Sequence, residues 1–459
     1  MGITGGDTRC SSGRSSYIVA SEWTRFLYGC RRSIRRTGRG LAAMQVLLSL
    51  QLLLAVTKAP AMVKAITDAG DIAALVQVKL AINTASILPS SCVGSWSFSV
   101  DPCDALGSPQ FTCGIECSPA IGGVSRVIGL NLEPAGYNGT LSPHVGNLSA
   151  LQTIIISGNN FEGSIPATLG QLTDLLQLDL SSNSFTGFLP ESLGLLSNLG
   201  YLSVANNLLE GNIPLSFNNL IELTRMSLDR NQLSGPIPIL SGMRSLTYID
   251  ASCNNLTGHL PWGYPPRLNY LALGQNQLAG RLPQLLGDLT SLAVLDLRSN
   301  QLWGSIEDFI FDLPSLQQLN LSHNNFSQLS FTNRTGANSQ VVSIDLSSNM
   351  LQGPLPDFLG FMKMLDVLSL QSNMFTGPIP YNYALKAANA LPASNQLRQL
   401  YLDSNFLTGE VPSPFLSISN NITASFVNNC LENCPPLLSF CQGGGQRSPN
   451  ECQAIHQTP

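Results

Sequence analysis

The sequence predicts a solenoid, in which similar α/β units stack and form a parallel β-sheet along the concave side. The first observation is a repeat of 24 residues that runs through most of the 459-residue chain. The second is composition, because charged residues make up only 11% of the chain, whereas globular domains average about 25%. Few charges with abundant Leu, Asn, Ser and Gly are typical of a repeat protein rather than of long disorder.

The repeat has the pattern LxxLxLxxN followed by LxGxIP, and it is clearest between Leu175 and Pro190. Seven of the eleven spacings between units are 24 residues, and the others are 23, 22, 25 and 32. The twelve units begin at Val127, Leu151, Leu175, Leu199, Leu223, Leu246, Leu268, Leu292, Leu316, Val341, Leu365 and Leu397.

Each part of the unit has a physical role. The LxxLxL part alternates, so its Leu side chains enter a core while the residues between them face outward from a short strand. The Asn then turns the chain and can satisfy backbone groups that a buried turn would otherwise leave without partners. Pro in the second part ends strand pairing. A single unit cannot bury its apolar face, so the units must stack. The expected asparagine ladder comprises Asn159, Asn183, Asn207, Asn231, Asn254, Asn276, Asn300, Asn324, Asn349, Asn373 and Asn405.

Distinct segments precede and follow the repeats and predict caps at both ends. Ile72, Leu75, Val76 and Leu80 lie at helical spacing and predict a short helix. A Ser-Trp pair, an Asp-Pro-Cys triplet and two further cysteines come next, before the first unit. After the last unit, the segment 430–452 contains four cysteines and ends in Gln-Arg-Ser-Pro-Asn-Glu-Cys.

These features resemble the plant extracellular leucine-rich-repeat family. The LxGxIP segment distinguishes that family, the amino-terminal segment is similar to its cap, and the ending resembles that of a kinase-less, secreted subgroup. The resemblance covers about residues 67 to 452. It implies a right-handed leucine-rich-repeat solenoid with a concave parallel β-sheet, about twelve repeats and cysteine-containing caps, and it implies a role in recognition.

The sequence therefore predicts four parts: an upstream extension with a signal peptide (1–65), an amino-terminal cap (66–126), the solenoid (127–415) and a carboxy-terminal cap (416–459). In the first part, several arginines precede an apolar run of 16 residues from Leu41 to Val56, which is short for a membrane span of about 20. Small residues near Ala65 suit a cleavage site and complete the pattern of a secretory signal. An uncleaved signal anchor is the alternative, and Met44 is an alternative start. No comparable apolar run follows the repeats, so no carboxy-terminal membrane span is predicted.

Cysteine usage agrees with secretion. Of eleven cysteines, two lie upstream, Cys253 stands apart and eight form two clusters of four. Each cluster suits two disulfides or one zinc site. Disulfides are favoured because neither cluster has paired C-x2-C spacing or a nearby His, but three connectivities remain open for each. The clusters are Cys92, Cys103, Cys113 and Cys117, and Cys430, Cys434, Cys441 and Cys452.

Secretion would also make the glycosylation sequons meaningful. We expect most to be occupied, except Asn320, which should point from its strand toward the concave face, where a glycan would obstruct binding. The seven sequons are Asn138, Asn147, Asn255, Asn320, Asn325, Asn333 and Asn421.

Enzyme chemistry finds no support in the sequence. There is no phosphate-binding loop, kinase motif set, HExxH or Gly-x-Ser-x-Gly, and the four His are dispersed over different units. A column of Asp on the concave face (Asp179, Asp250, Asp296 and Asp345) suits a cation or a carboxylate pair, or is simply solvated. The sequence predicts no enzyme, metal or cofactor. A net charge of −5 also disfavours nucleic acid as a partner.

The predicted binding surface lies at the outward strand positions, which follow the first Leu of each unit by two, four, six and seven residues. Among the strands that are followed by a ladder Asn, the third to the seventh with their turns offer Tyr and Arg, the side chains that most often anchor interfaces, whereas later strands offer mainly Ser, Gln and Asp. The alternative is that these Tyr residues merely cover the sheet. The candidates are Tyr201, Arg225, Asp229, Arg230, Tyr248, Asp250, Tyr270, Asp296 and Arg298.

Two functions compete at the level of sequence. The first is recognition of a peptide or protein ligand in signalling or defence, beside a membrane receptor kinase. The second is inhibition of secreted enzymes such as pectin-degrading glycosidases (polygalacturonases), which the same family includes. A fragment of a larger receptor is a third possibility, which the apparently complete carboxy-terminal cap weakens.

Overall fold

A computed structural model of the chain describes residues 66–454, apart from 333, 392–394, 418–421 and 436–437. The predicted upstream extension and signal peptide (1–65) and the sequons at Asn333 and Asn421 lie outside the described residues. The chain from Ile66 onward forms one compact unit.

One long sheet, the inner sheet, runs through the described part of the chain with its strands in sequence order. All of its pairings are parallel except the first, in which Ile115–Cys117 of the amino-terminal cap runs antiparallel to the strand of the first unit. Each of the twelve predicted units contributes one strand, which confirms the predicted fold. The fourteen strands are Ile115–Cys117, Val127–Asn131, Thr153–Ile155, Gln177–Asp179, Tyr201–Ser203, Arg225–Ser227, Tyr248–Asp250, Tyr270–Ala272, Val294–Asp296, Gln318–Asn320, Ser343–Asp345, Val367–Ser369, Gln399–Tyr401 and Thr423–Ser425.

Short outer strands follow the inner strands and form two further parallel sheets of nine and four strands. The unit that begins at Leu316 lacks the Gly-x-Ile-Pro segment, and its outer strand is the last of the nine; the strand of the following unit begins the second sheet. The nine are Asn138–Thr140, Asn160–Ser164, Ser184–Phe188, Leu208–Gly211, Gln232–Pro236, Asn255–Gly258, Gln277–Gly280, Gln301–Ile306 and Asn325–Leu329; the four are Gln352–Pro354, Met374–Gly377, Phe406–Glu410 and Cys430–Asn433. A small separate pair joins Ile66–Thr67 to Val124–Ser125.

Short helices connect many outer strands to the next inner strand. Neither the unit that begins at Leu223 nor the one that begins at Leu246 has such a helix, and both have Pro-containing segments there. The α-helices are Ala69–Leu80, Cys92–Ser95, Phe358–Phe361, Tyr381–Ala387, Ser413–Leu416 and Pro449–Ala454; the 3₁₀ helices are Thr84–Ser86, Pro143–Asn147, Ala167–Gln171, Glu191–Leu195, Leu215–Asn219, Gln284–Asp288, Asp308–Ile310 and Ser439–Cys441.

The asparagine ladder is confirmed, and it joins each unit to the one before. Asn276 is typical: its Oδ1 accepts a hydrogen bond of 3.0 Å from the Leu256 amide, and its Nδ2 donates to the carbonyl oxygens of Ala251 and Leu273 at 3.0 Å. The same side chain thus satisfies backbone groups of two units inside the core, where unpaired polar groups are costly. Equivalent bonds between units are made by Asn183, Asn207, Asn231, Asn254, Asn300, Asn324, Asn349, Asn373 and Asn405.

The ladder continues into the predicted carboxy-terminal cap. Asn429 follows the strand Thr423–Ser425 and accepts from the Leu407 amide at 3.1 Å. Gln446 then takes the place of a further ladder Asn: its Oε1 accepts from the amides of Asn429 and Leu431, and its Nε2 donates to the Phe426 carbonyl. One glutamine of the Gln-Arg-Ser-Pro segment therefore terminates the ladder, which sequence reasoning did not foresee.

The amino-terminal helix, Ala69–Leu80, is present, but the predicted apolar face is wrong in part. Asp71 is fully buried. Its carboxylate accepts hydrogen bonds from Arg126 Nε at 2.9 Å and from the Val127 amide at 2.8 Å. This pairing turns the Asp71 side of the helix inward. Leu80, predicted to pack in the core, is consequently 70% exposed.

Disulfides close both caps, so the zinc alternative is excluded. The pairs in the amino-terminal cap are Cys92–Cys113 and Cys103–Cys117. The pairs in the carboxy-terminal cap are Cys430–Cys452 and Cys434–Cys441. In the amino-terminal cap the first cysteine pairs with the third and the second with the fourth. In the carboxy-terminal cap the first cysteine pairs with the fourth and the second with the third. Cys253, which stands apart from both clusters, is half-buried.

Two buried tyrosines differ in how their hydroxyls are satisfied. Tyr383 is fully buried and donates to the Pro356 carbonyl at 2.8 Å. Tyr264 belongs to the segment that replaces a helix, and it lines a narrow apolar crevice with Ile237 and Leu240. It is 9% exposed, and within the described residues its hydroxyl has no hydrogen-bond partner. Burial raises the pKa of Tyr264 above its ordinary value.

We expect Tyr264→Phe to raise the free energy of unfolding by about 1 kcal/mol, because it removes a buried hydroxyl that has no partner. Tyr383→Phe is the matched control and should lower it by about 1 kcal/mol, because it removes the buried hydrogen bond from the Tyr383 hydroxyl to the Pro356 carbonyl. Urea unfolding of both variants measures the difference. Equal losses in the two variants would contradict this account of Tyr264.

Gln446→Ala should loosen the last unit while leaving the middle of the solenoid unchanged, because stability in a repeat stack is largely local. Removing the side-chain acceptor of the Asn429 and Leu431 amides costs about 1–3 kcal/mol per group. Hydrogen–deuterium exchange should show faster exchange near the strand Cys430–Asn433, with no change around Asn276. Gln277→Ala, at an exposed position, is the control. Unchanged exchange near the carboxy terminus would show that Gln446 does not terminate the ladder.

Candidate ligand-binding face

The inner sheet brings four of the predicted residues together in one row. Tyr201, Arg225, Tyr248 and Tyr270 occupy the same position on four neighbouring strands, and the strand register places them side by side. Each lies two residues after the first Leu of its unit, so each projects from the face opposite the core. In this row Arg225 is exposed and the three tyrosines are half-buried.

Three of these side chains form a stack. The Arg225 guanidinium carbon lies 3.6 Å from the centre of the Tyr248 ring. The Tyr248 and Tyr270 rings are stacked with centres 4.3 Å apart and planes 10° apart. Aromatic pairs of this kind contribute about 0.5–1.5 kcal/mol beyond area burial, and a cation over an aromatic face contributes a similar amount. The stack therefore holds these three side chains in a defined arrangement, which is what an anchor for a protein or peptide ligand requires.

Partly buried carboxylates lie along one edge of the stack. The Tyr248 hydroxyl lies 3.5 Å from Asp250 Oδ2, and burial, together with Asp250, raises the pKa of Tyr248 to about 12. Burial also raises the pKa of Asp229 to about 6, with repulsion from Asp250 in the same direction and attraction to Arg230 opposing it. The two negative charges thus disfavour each other, and a cation would relieve the repulsion.

The remaining candidates pair with each other. Arg230 Nη1 lies 3.7 Å from Asp229 Oδ2, and Arg298 Nη1 lies 3.4 Å from Asp296 Oδ2. Burial raises the pKa of Asp296, and Arg298 opposes the shift. Arg230 directly precedes the ladder residue Asn231 and has a left-handed backbone with φ of 53°. The same conformation recurs before most other ladder residues, for instance at Ser182 and Ser299, so the ladder fixes the backbone of Arg230.

The aspartates of the predicted column mainly stabilise the turns that follow their strands. The Oδ1 atoms of Asp179, Asp250 and Asp345 each accept a bond of 3.0 Å from the amide two residues later. In register, Ala272 lies between Asp250 and Asp296, and Asn320 lies between Asp296 and Asp345. The carboxylates therefore do not lie on adjacent strands, and this register argues against the carboxylate pair that the sequence suggested.

The five sequons within the described residues differ in exposure. Asn147, Asn255 and Asn325 are exposed, whereas Asn138 and Asn320 are half-buried. Asn320 occupies the position of the column aspartates on the inner sheet, and its Oδ1 accepts from the Ser322 amide and hydroxyl. The expectation that Asn320 points from its strand to the outward face of the inner sheet is confirmed, while its occupancy by a glycan remains a prediction.

Metal chemistry has one candidate group among the described residues, consisting of Cys92, Cys113 and Glu133. The two cysteines form a disulfide, so they offer no thiolate for a metal ion. Among the same residues, no helix is both long and apolar enough to cross a membrane.

The sequence matches two models of known protein families, and these matches assign the chain to a family. Residues 126–377 match the family model described as a leucine-rich repeat region, and residues 396–418 match the leucine-rich repeat model. The chain belongs to the leucine-rich-repeat family. The first match alone covers more than half of the chain, including every candidate ligand-binding residue.

Among solved structures, the chain is similar to ectodomains of plant receptors. The complex of PEPR1 with AtPEP1 matches with 28% identity and a TM-score of 0.57, over 82% of this chain and 58% of that one. The plant peptide hormone receptor RGFR1, in complex with RGF2, matches with 27% identity and a TM-score of 0.55, over 64% of this chain and 50% of that one. The ectodomain of the Arabidopsis receptor kinase HAESA, in complex with a peptide hormone ligand, matches with 26% identity and a TM-score of 0.54, over 79% and 65%.

This leucine-rich-repeat chain spans only about half the length of the first two receptor ectodomains, 50% and 58%. The likeness confirms the leucine-rich-repeat solenoid as the fold, which these plant receptor ectodomains share. It leaves the identity of any ligand of this chain to be argued from its own surface.

Asp229→Asn tests the electrostatics of the site. Because the pKa of Asp229 is raised in the folded state, to about 6, stability is greatest below its unfolded pKa near 3.8 and is lost as the pH rises through 6. Replacing the carboxylate by an amide should therefore stabilise the protein at pH 7, by on the order of 2 kcal/mol, and have little effect at pH 3.5. Unfolding midpoints at the two pH values measure the effect.

The control for this prediction is Asp288→Asn, which removes an exposed carboxylate. It should shift the midpoint little at either pH. A destabilised Asp229→Asn variant at pH 7 would show instead that the ion pair with Arg230 outweighs burial and the repulsion from Asp250.

Proposed function

We propose that this chain is a non-catalytic, extracellular recognition protein that binds a peptide or protein ligand on the open face of its inner sheet. The contact region runs from the strand Tyr201–Ser203 to the strand Val294–Asp296. The observation that carries the proposal is the stack of Arg225, Tyr248 and Tyr270, because ordered Tyr and Arg side chains are the usual anchors of interfaces.

The surface of the other units supports the same location. At the positions that carry Tyr248 and Asp250, the unit that begins at Leu365 has Val367 and Ser369 instead. Among the outward positions of the twelve units, Arg occurs only on the strands of this contact region and their turns, and Tyr occurs elsewhere only at Tyr401. The similar receptor ectodomains were solved with peptides or named partners bound, which supports a ligand of this class.

Disulfides in both caps support an extracellular location, because such bonds persist in oxidising compartments. We propose secretion by a signal within residues 1–65, with an uncleaved signal anchor on the outer face of the plasma membrane as the alternative. We also propose glycans at the exposed sequons. Since the sequence has no kinase motif set, signalling or defence would require a partner, and a membrane receptor kinase is the one we propose.

The proposal predicts that Tyr248→Ala and Arg225→Ala each weaken ligand binding at least about tenfold, because each removes a hot-spot side chain. The ligand is first captured from plant cell-wall extract on the immobilised protein and identified by mass spectrometry, and its affinity is then measured with purified variants. The thermal midpoints should stay close to that of the wild type, because neither side chain supports the core.

Ser343→Ala is the matched control, since Ser343 occupies the position of Tyr248 on a strand outside the patch. It should leave affinity unchanged. Equal affinity for wild type and Tyr248→Ala would overturn the proposed site. Capture of a cell-wall hydrolase whose activity is then blocked would overturn the signalling role and favour an enzyme inhibitor.

A further inference from the structure

Three large apolar side chains are exposed at one repeat position, on segments that lie outside the inner sheet. Leu215, Ile239 and Trp262 each follow the Pro that ends the outer segment of their unit. They are 76%, 55% and 80% exposed, and together we call them the outer strip. In the units on either side the same position carries Glu191 and Gln284, so polar residues bound the strip at both ends.

The strip is continuous, because contacts beside it join its three units. A Cβ atom added to Gly263, next to Trp262, would lie 3.3 Å from Ile239 Cγ2. On the other side, the Gly242 amide donates to Asn218 Oδ1 at 2.8 Å, and Asn218 belongs to the 3₁₀ helix that begins at the third residue of the strip. The three apolar side chains are therefore presented by neighbouring, bonded segments.

The size of the strip is typical of a contact site. An aromatic side chain carries about 150–250 Å² of surface, and Trp262 exposes 80% of its own. With the two aliphatic residues the strip reaches a few hundred Å², the range in which an exposed apolar patch marks an interaction surface.

Glycans would leave the strip uncovered. None of the seven sequons lies in the connecting segments of its three units, which are residues 213–222, 237–245 and 260–267. The nearest sequon in sequence, Asn255, lies on the outer strand Asn255–Gly258. An apolar surface that neither the fold nor a proposed glycan covers calls for a protein partner.

Charged side chains accompany the strip, with opposite signs toward its two ends. In the three connecting segments the charged residues are Glu222 in the first, Arg244 in the second and Arg267 in the third. All three are exposed, and none forms an ion pair within the described part of the chain. The strip thus carries a negative charge at one end and positive charges toward the other.

This pattern is complementary to itself. When a second copy approaches in the reversed orientation, the acidic end of each strip faces the basic end of the other, while the apolar residues meet between them. A contact of this kind uses the same patch on both copies and closes at two. A stable interface buries about 800 Å² per partner, for which the strip supplies the apolar centre and its polar neighbours the rim.

We propose that the outer strip is a self-association surface, at which two copies of this chain meet in reversed orientation. The strip lies outside the inner sheet, so association leaves the proposed ligand-binding face open. Two copies would then present two such faces, which raises the avidity for a ligand that carries two epitopes.

Sedimentation equilibrium of the secreted, glycosylated protein tests the proposal. The wild type should form a dimer within the range of about 1–100 µM, where interfaces of modest size dissociate. Trp262→Ser should raise the dissociation constant at least about tenfold, because it removes the largest apolar side chain of the contact. Its thermal midpoint, measured where the wild type is monomeric, should be unchanged, since the side chain is largely exposed.

Trp303→Ser is the matched control. Trp303 is also partly exposed, at 46%, but it belongs to the outer strand Gln301–Ile306 and not to the strip. This variant should dimerise as the wild type does.

Charge reversal tests the orientation of the two copies. Glu222→Arg makes the strip wholly basic, and the double variant Arg244→Glu, Arg267→Glu makes it wholly acidic. Each should self-associate at least about tenfold more weakly than the wild type, because like charges then face each other. An equimolar mixture of the two should associate again, since a basic strip meets an acidic one.

The other outcomes overturn the proposal. A wild type that remains monomeric at about 100 µM rules out self-association, and a dimer that Trp262→Ser leaves intact places the contact elsewhere. A mixture of the two charge variants that stays monomeric contradicts the reversed orientation. Monomeric protein that binds phosphatidylcholine vesicles through Trp262 would assign the strip to a membrane instead. None of these results bears on ligand affinity at Tyr248, so the proposed function is tested separately.

Discussion

The hydrogen bonds of the ladder asparagines are the constraint on which the rest of the structure depends. Each asparagine satisfies buried backbone groups of its own unit and of the preceding one, as Asn276 does with Leu273 and Ala251. A turn of this shape inside a core would otherwise leave amides and carbonyls without partners. The ladder thus holds successive inner strands in one register, and that register decides which outward side chains become neighbours.

The binding face follows from this register. Arg225, Tyr248 and Tyr270 are more than twenty residues apart in sequence, but they stack because their units are held without a shift. In the remaining units the outward positions, which do not pack in the core, are filled mainly by Ser, Gln and Asp. The function that we propose is therefore placed where Tyr and Arg occupy those positions, on side chains that lie outside the core.

Much of the fold could be predicted because the same residue pattern, with the same structural cause, recurs in every unit of a repeat. The period of 24 residues, the alternation of Leu and the recurrent Asn predicted the units, their strands and the ladder. Single-copy features were harder. Leu80 was misplaced because the buried pair of Asp71 and Arg126 sets the rotation of the first helix, and a salt bridge across 55 residues leaves no periodic signal.

The site was predicted in part for similar reasons. Composition and repeat position identified the residues of the stack, but the pairing of Arg230 with Asp229 and of Arg298 with Asp296 depends on side-chain directions that a pattern does not contain. Gln446 escaped notice because it replaces an asparagine from a different backbone position. Disulfide connectivity likewise needed three-dimensional distances.

The central claim is that the ligand lies against the stack on the inner sheet, and site-specific photo-crosslinking tests it most directly. A benzoylphenylalanine is placed at Tyr270, at Ser343 on the same face, or at Trp262, which is 80% exposed and lies outside the inner sheet. The account predicts that the captured ligand crosslinks strongly from position 270 and not from positions 343 or 262. Crosslinking from position 262 with none from position 270 would contradict it.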